Sequence, residues 1–166
     1  MNISADWRRM VSTAAMSGAA LLLLGAAASA QSSGAFAGMA GVWSGNGTVA
    51  LDNGQSERIR CRASYAVSRD GNGLNQTLTC ASDSYKFDLK SNVIANGGAL
   101  SGTWSESTRN ISGNLQGKAS GGHFGVVVSG PSFSADLSLN TRGNRQHVTI
   151  RSDGSFRSAT ISLSRS

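Results

Sequence analysis

In "ERIRCRASYAV", residues 57–67, an arginine stands at every second position: Arg58, Arg60 and Arg62. Guanidinium groups that point the same way suit phosphate or carboxylate, which they grip through paired N–H donors. Further along, Lys86 and Lys90 flank Asp88 at the same spacing. Together these five cations form a candidate anion-binding stripe for lipopolysaccharide or another envelope polyanion. The plainer alternative is a solvated face that discourages aggregation. The other side of the stretch carries Ile59, Cys61, Ala63 and Tyr65. Tyr65 joins Gln76, Trp43, Tyr85 and Trp104 as candidate lining of an interior pocket, with apolar walls and a few directed polar groups. A hydrogen-bonded part of a filled core would account for the same residues.

Little in the chain points to catalysis. His123 and His147 fall on expected outward faces with no motif around them, and none of the serines sits in a nucleophile elbow. No metal-ligand spacing is present. "DGNGLN", residues 70–75, has Leu74 where a calcium loop needs an oxygen ligand, so a hairpin turn explains it better. The expectation is a non-enzymatic protein with no metal and no cofactor.

These side chains must be positioned by strands. From Gly41 onward the apolar residues alternate with period two, and Asn-Gly, Asp-Gly and Ser-Gly pairs punctuate the pattern about every 8 to 12 residues. Ile59, Cys61, Ala63 and Tyr65 share a face, as do Leu74, Gln76, Leu78 and Cys80. A turn at Asp70-Gly71 puts Cys61 directly opposite Cys80, within disulfide reach, and Tyr65 opposite Gln76. A loop centred on Gly54 puts Trp43 opposite Tyr65. Turns at Asn96-Gly97, Thr108-Arg109 and Ser120-Gly121 oppose Leu89 with Trp104, Trp104 with Gly113, and Phe124 with Gly117. Rings that cover strand glycines stabilise curved sheets. The expected fold is all-β: an antiparallel meander of about ten short strands, closed or nearly closed into a soluble barrel, because closure removes the edges. An outer-membrane barrel is the minor alternative. It would turn the apolar face to lipid and the arginines into a polar lumen.

The meander does not begin at residue 1. Arg8 and Arg9 precede an apolar run from Ala14 to Ala28, and Ala28-Ser29-Ala30 offers a small-residue cleavage site. That is the layout of a signal peptide, residues 1–30, followed by a flexible lead over 31–40 and a single barrel domain over 41–166. Residues 31–166 carry 13 basic and 8 acidic side chains, a net charge of +5. A cysteine pair in an exported chain reads as a disulfide.

Gly41-Val42-Trp43 and "GALSGTW", residues 98–104, resemble strands of the calycin-like barrels: lipocalins, fatty-acid-binding proteins and avidins. The resemblance covers two strands. A biotin site and a helical lid have no counterpart in it. "GVWSGNGTV", "RIRCRASY" and "CASDSYKFDL" resemble a group of small exported alphaproteobacterial proteins, which implies localisation and fold but no activity. The expectation is a periplasmic or secreted binding protein of a Gram-negative bacterium. It would hold a small apolar ligand inside the barrel or an envelope polyanion on the basic face. A structural or inhibitory envelope protein acting by protein–protein contact is the alternative. Nucleic acid is not an expected partner, and the chain is not expected to be an integral membrane protein.

Overall fold

A computed structural model describes residues 33–131, 133–154 and 156–166. The expected signal peptide lies outside the described residues. The period-two pattern is realised as ten strands: β1 (Gly41–Leu51), β2 (Ser56–Val67), β3 (Gly73–Ala81), β4 (Lys86–Asn96), β5 (Ala99–Glu106), β6 (Ile111–Ser120), β7 (His123–Gly130), β8 (Phe133–Arg142), β9 (Arg145–Ser152) and β10 (Phe156–Arg165). Each pairs antiparallel with the next, and β10 pairs with β1, so the sheet closes into a barrel. Closure leaves no strand with unpaired backbone N–H and C=O groups.

Turn chemistry sets the registers. Around Asp70-Gly71, Cys61 opposes Cys80 and Tyr65 opposes Gln76, as the spacing predicts. Trp104 also opposes Gly113, as expected. Three other registers differ by two residues. Gly97 and Gly98 both have positive φ (56° and 84°), as do Gly121 and Gly122 (57° and 82°). A type I′ turn needs positive φ at both central positions, so the Gly-Gly pairs displace the expected Asn96-Gly97 and Ser120-Gly121 turns. Trp104 therefore opposes Ser91 rather than Leu89, and Phe124 opposes Ala119 rather than Gly117. In the β1–β2 hairpin Leu51 N donates to Gln55 O at 2.8 Å, and Gly54 (φ 83°) takes the last loop position instead of the centre. Trp43 then opposes Ala63 rather than Tyr65. A two-residue slip changes a side chain's partner but not its face.

The two faces divide cleanly. Trp43, Ile59, Cys61, Leu74, Val93, Leu100 and Leu163 are buried inside. The outward positions carry serine, threonine, asparagine, arginine and lysine. Among the described residues only Ile94 and Val127 are large apolar side chains standing exposed. A barrel in lipid needs an outward apolar band. The polarity here is the reverse, which removes the outer-membrane alternative.

Because the strands alternate in direction, the turns gather at two ends. The end holding the β2–β3, β4–β5, β6–β7 and β8–β9 turns is plugged by residues 33–40. Expected as a flexible lead, this segment packs as a turn that buries Phe36 and Met39. Phe36 N donates to Gly71 O at 2.9 Å, and its ring stacks on Phe124 with centroids 5.7 Å apart. Trp43 Nε1 donates to Met39 O at 2.8 Å. The Arg165 guanidinium lies 4.6 Å from the Trp43 ring centre and donates to the carbonyls of Gly38 and Ala40. At the opposite end the inward apolar residues, among them Leu51, Phe87, Ile111, Val128, Phe133 and Phe156, are only half-buried. That end is the mouth.

Candidate functional site

Between the plug and the mouth lies a cavity of about 180 Å³. Its walls come from β2 to β10, with Phe36 and Met39 as its floor. The β1 wall contributes nothing, because Gly45 and Gly47 press against β10. A Cβ on Gly45 would fall 1.9 Å from Ser162 O. Leucine, valine, isoleucine and phenylalanine make up most of the lining. The polar exceptions Tyr65, Gln76, Ser91 and Trp104 occupy one continuous row across β2, β3, β4 and β5, each directly opposite the next. No lysine, arginine, histidine, aspartate or glutamate lines the cavity among the described residues.

Each member of the row is anchored. Tyr65 Oη donates to Gln146 Oε1 at 3.2 Å, and both residues are buried. Burial pushes the Tyr65 phenol well above its ordinary range, against a smaller downward pull from Gln146, so it stays neutral. Ser91 Oγ donates to Gln76 Oε1 at 3.1 Å. The other end of the Gln76 amide has no partner among the described residues. Gln76 is half-buried although it lies inside the barrel, so its accessible part faces the cavity. Gln146 Nε2 is likewise buried without a partner among the described residues. Trp104 Nε1 is shared between Asn114 O and Ser129 O, each at 3.2 Å, across the bare backbone of Gly113. Its ring meets Phe133 edge-on at 5.3 Å.

Of the five sequence-derived pocket candidates, Tyr65, Gln76 and Trp104 line the cavity. Trp43 and Tyr85 do not. Trp43 is wholly buried, with its ring 6.5 Å from that of Tyr65, and belongs to the plugged end. Tyr85 lies in the β3–β4 turn, with the Arg109 guanidinium 4.4 Å from its ring centre. Ser91 and Gln146 escaped the sequence reading. Ser91 was visible on the face of Phe87, Leu89 and Val93, but Gln146 meets Tyr65 from 81 residues away.

Two inward carboxylates stand nearer the mouth. Glu106 is buried at the end of β5 and accepts hydrogen bonds from the Asp88, Thr108 and Arg109 amides and the Thr108 hydroxyl, with Arg109 Nη1 3.4 Å away. Burial pushes its pKa up, but the Thr108 hydroxyl and the amides together outweigh this and hold it below the ordinary glutamate value. The Ser82 and Ser84 hydroxyls hold the Glu57 carboxyl below the same value.

The five candidate cations are all exposed on the outside of β2 and β4. Arg58, Arg60 and Arg62 oppose Thr48, Asn46 and Ser44 on β1, and none of the three has an ion-pair partner among the described residues. Lys86 is partly neutralised by Asp88 at 2.9 Å. That contact and the Thr79 hydroxyl hold the Asp88 carboxyl below its ordinary value. Lys90 lies across from Thr77. Cys61 and Cys80 form the expected disulfide, with α-carbons 4.1 Å apart. His123 and His147 face outward against Asn140 and Ser162.

A closed antiparallel meander around an apolar, one-ended cavity defines a calycin-like barrel. Two solved structures share it. Rv2717c from M. tuberculosis has a TM-score of 0.61 at 12% identity, covering 76% of this chain and 92% of its own. The S-type phycobiliprotein lyase CPES from Guillardia theta has a TM-score of 0.58 at 8% identity, covering 76% and 88%. No family model and no curated protein matches the sequence. The likeness to alphaproteobacterial exported proteins therefore has no support from these comparisons. The expectation of a non-enzymatic protein is corrected: a barrel of the same fold is a lyase, so the architecture does not confine the chain to binding alone.

Proposed function

We infer that the chain is an exported protein, periplasmic or secreted, that holds a small apolar ligand in its barrel. The observation that carries this is the cavity: apolar on nearly all sides, floored by Phe36 and Met39, and reached through an end whose apolar side chains stay half-buried. Burying an apolar ligand there returns both surfaces from water at roughly 25 cal/mol per Å². The Cys61–Cys80 disulfide suits an oxidising compartment.

The test is fluorescence titration of the purified protein with N-phenylnaphthylamine, an uncharged apolar probe. Saturable enhancement is expected, and Val126→Phe, which grows into the cavity, should weaken it without unfolding the barrel. Enhancement that never saturates, or that is untouched by Val126→Phe, would place the probe elsewhere.

A second reading rests on a separate observation: Arg58, Arg60 and Arg62 stand exposed in one row without carboxylate partners among the described residues. They suit a polyanion of the envelope. The protein-contact alternative has less support, since Ile94 and Val127 lie on different strands and make no apolar patch.

A further inference from the structure

We propose that the cavity selects uncharged amphiphiles, an apolar chain or ring bearing one hydroxyl or carbonyl oxygen, and rejects the corresponding carboxylates. This deepens the ligand-binding reading above and rests on it.

Polarity inside the barrel is confined to one row. Tyr65, Gln76, Ser91 and Trp104 follow one another across four adjacent strands, and the rest of the lining is hydrocarbon apart from the sulfur of Met39. Within that row Trp104 spends its N–H on Asn114 O and Ser129 O, and Ser91 spends its hydroxyl proton on Gln76. One end of the Gln76 amide remains for a ligand. A second amide, on the buried Gln146 beside Tyr65, also has a nitrogen without a partner among the described residues. Neutral donors of this kind satisfy an alcohol, ketone, ester or amide oxygen, and a buried oxygen must be satisfied.

They do not neutralise a charge. A carboxylate brought into the cavity would lose its hydration with no cation in the wall to replace it, and that cost is far larger than for a neutral oxygen. No cation reaches the cavity wall among the described residues: Arg109, at the mouth, is held by Glu106 and the Tyr85 ring. Arg58, Arg60, Arg62, Lys86 and Lys90 lie on the outer face, and Arg165 is committed to the carbonyls of the plug. Of the inward carboxylates nearest the mouth, Glu106 is already paired with Arg109, and Glu57, held by the Ser82 and Ser84 hydroxyls, repels an anion entering there. The size of the space sets the scale. An apolar cavity of ~150 Å³ elsewhere admits a benzene, and drug-sized ligands fill ~300–1,000 Å³. At about 180 Å³ and open at the mouth, this cavity takes one ring or a short chain inside, and the remainder of a larger molecule such as the probe stays in the mouth.

The experiment displaces N-phenylnaphthylamine with four ligands of one chain length: octane, octanol, methyl octanoate and octanoate, at neutral pH. Octanol and methyl octanoate should displace the probe, and octanoate should be roughly tenfold weaker or worse. Gln76→Arg should narrow or invert that order by placing a cation in the row. Gln76→Leu should cost octanol its advantage over octane. Octanoate binding as tightly as octanol to the unaltered protein would overturn the selectivity while leaving the cavity a binding site. If the probe itself does not bind, the ligand-binding reading falls and takes this proposal with it.

Discussion

Glu106 shows how a single residue ties two strands and a turn at the mouth. Its carboxylate collects the Asp88 amide from β4 and the Thr108 and Arg109 amides from the β5–β6 turn, and it does so from full burial. Its folded-state pKa lies below the unfolded value, because these hydrogen bonds outweigh the burial that opposes them. A depressed carboxyl contributes stability that is fully present above its unfolded pKa of ~4.3 and is lost as pH falls through the lower folded value. Glu106→Gln should therefore cost about 1–3 kcal/mol at neutral pH, since one acceptor becomes a donor facing donors. The same change should flatten the acid side of the stability profile, measured by urea denaturation across the acid range. An unchanged acid limb would assign that loss to other carboxylates. Nothing in the sequence marked Glu106 as special. Its partners are two turn residues and an amide from another strand, and only the register brings them together.

At the scale of the strand pair, the β2–β3 hairpin was the most legible element. The Asp70-Gly71 turn and the cysteine spacing agree, and the observed pairing follows both. The disulfide closes a loop with a sequence separation of 19 residues. Replacing Cys61 and Cys80 together with alanine should cost roughly 3 kcal/mol in the chain-entropy model, read as a lower urea midpoint with a steeper slope as the uncrosslinked denatured chain expands. A loss well under 1 kcal/mol would mean that the denatured ensemble keeps this hairpin partly formed without the crosslink. The hairpins at 97–98 and 121–122 were less legible, because three consecutive residues of turn character compete for two positions. Backbone geometry decides between them, and two adjacent glycines win where both φ values must be positive. The strap over 33–40 shows the same limit. Phe36 and Met39 are unremarkable in sequence, and they become a plug only because the end of the barrel offers Phe124, Gly71 and Trp43 to pack against.

For the whole molecule, charge and apolarity are segregated by wall: cations outside, hydrocarbon inside. The outer stripe predicts a salt-dependent interaction. If Arg58, Arg60 and Arg62 hold a polyanion, binding to lipopolysaccharide micelles should weaken as ionic strength rises, because exposed charges are screened beyond ~8–10 Å at physiological salt. Changing all three to serine should remove that binding and shift stability by no more than about 0.5 kcal/mol per site, since none of the three is buried or ion-paired among the described residues. Displacement of N-phenylnaphthylamine from the cavity should be unaffected by the triple change. Micelle binding that survives it would move the anion site to other cations, with Arg142 and Arg145 at the plugged end the next to test.

The sequence by itself determined which side chains face inward, that the fold is an antiparallel meander, and that Cys61 meets Cys80. Those follow from the period-two alternation and one well-marked turn, both of which are local. Tertiary structure decided the rest. The two-residue slip between β4 and β5 moved Trp104 onto Ser91 and so created the continuous polar row, while closure of β10 on β1 brought Gln146 to Tyr65 across 81 residues. Whether the barrel is filled or hollow was also settled there. Alternation fixes a side chain's direction, but the volume left between opposite walls depends on where Gly45 and Gly47 let β1 press in and how far the plug descends. Those distances are set between strands far apart in the chain, and no local pattern of residues encodes them.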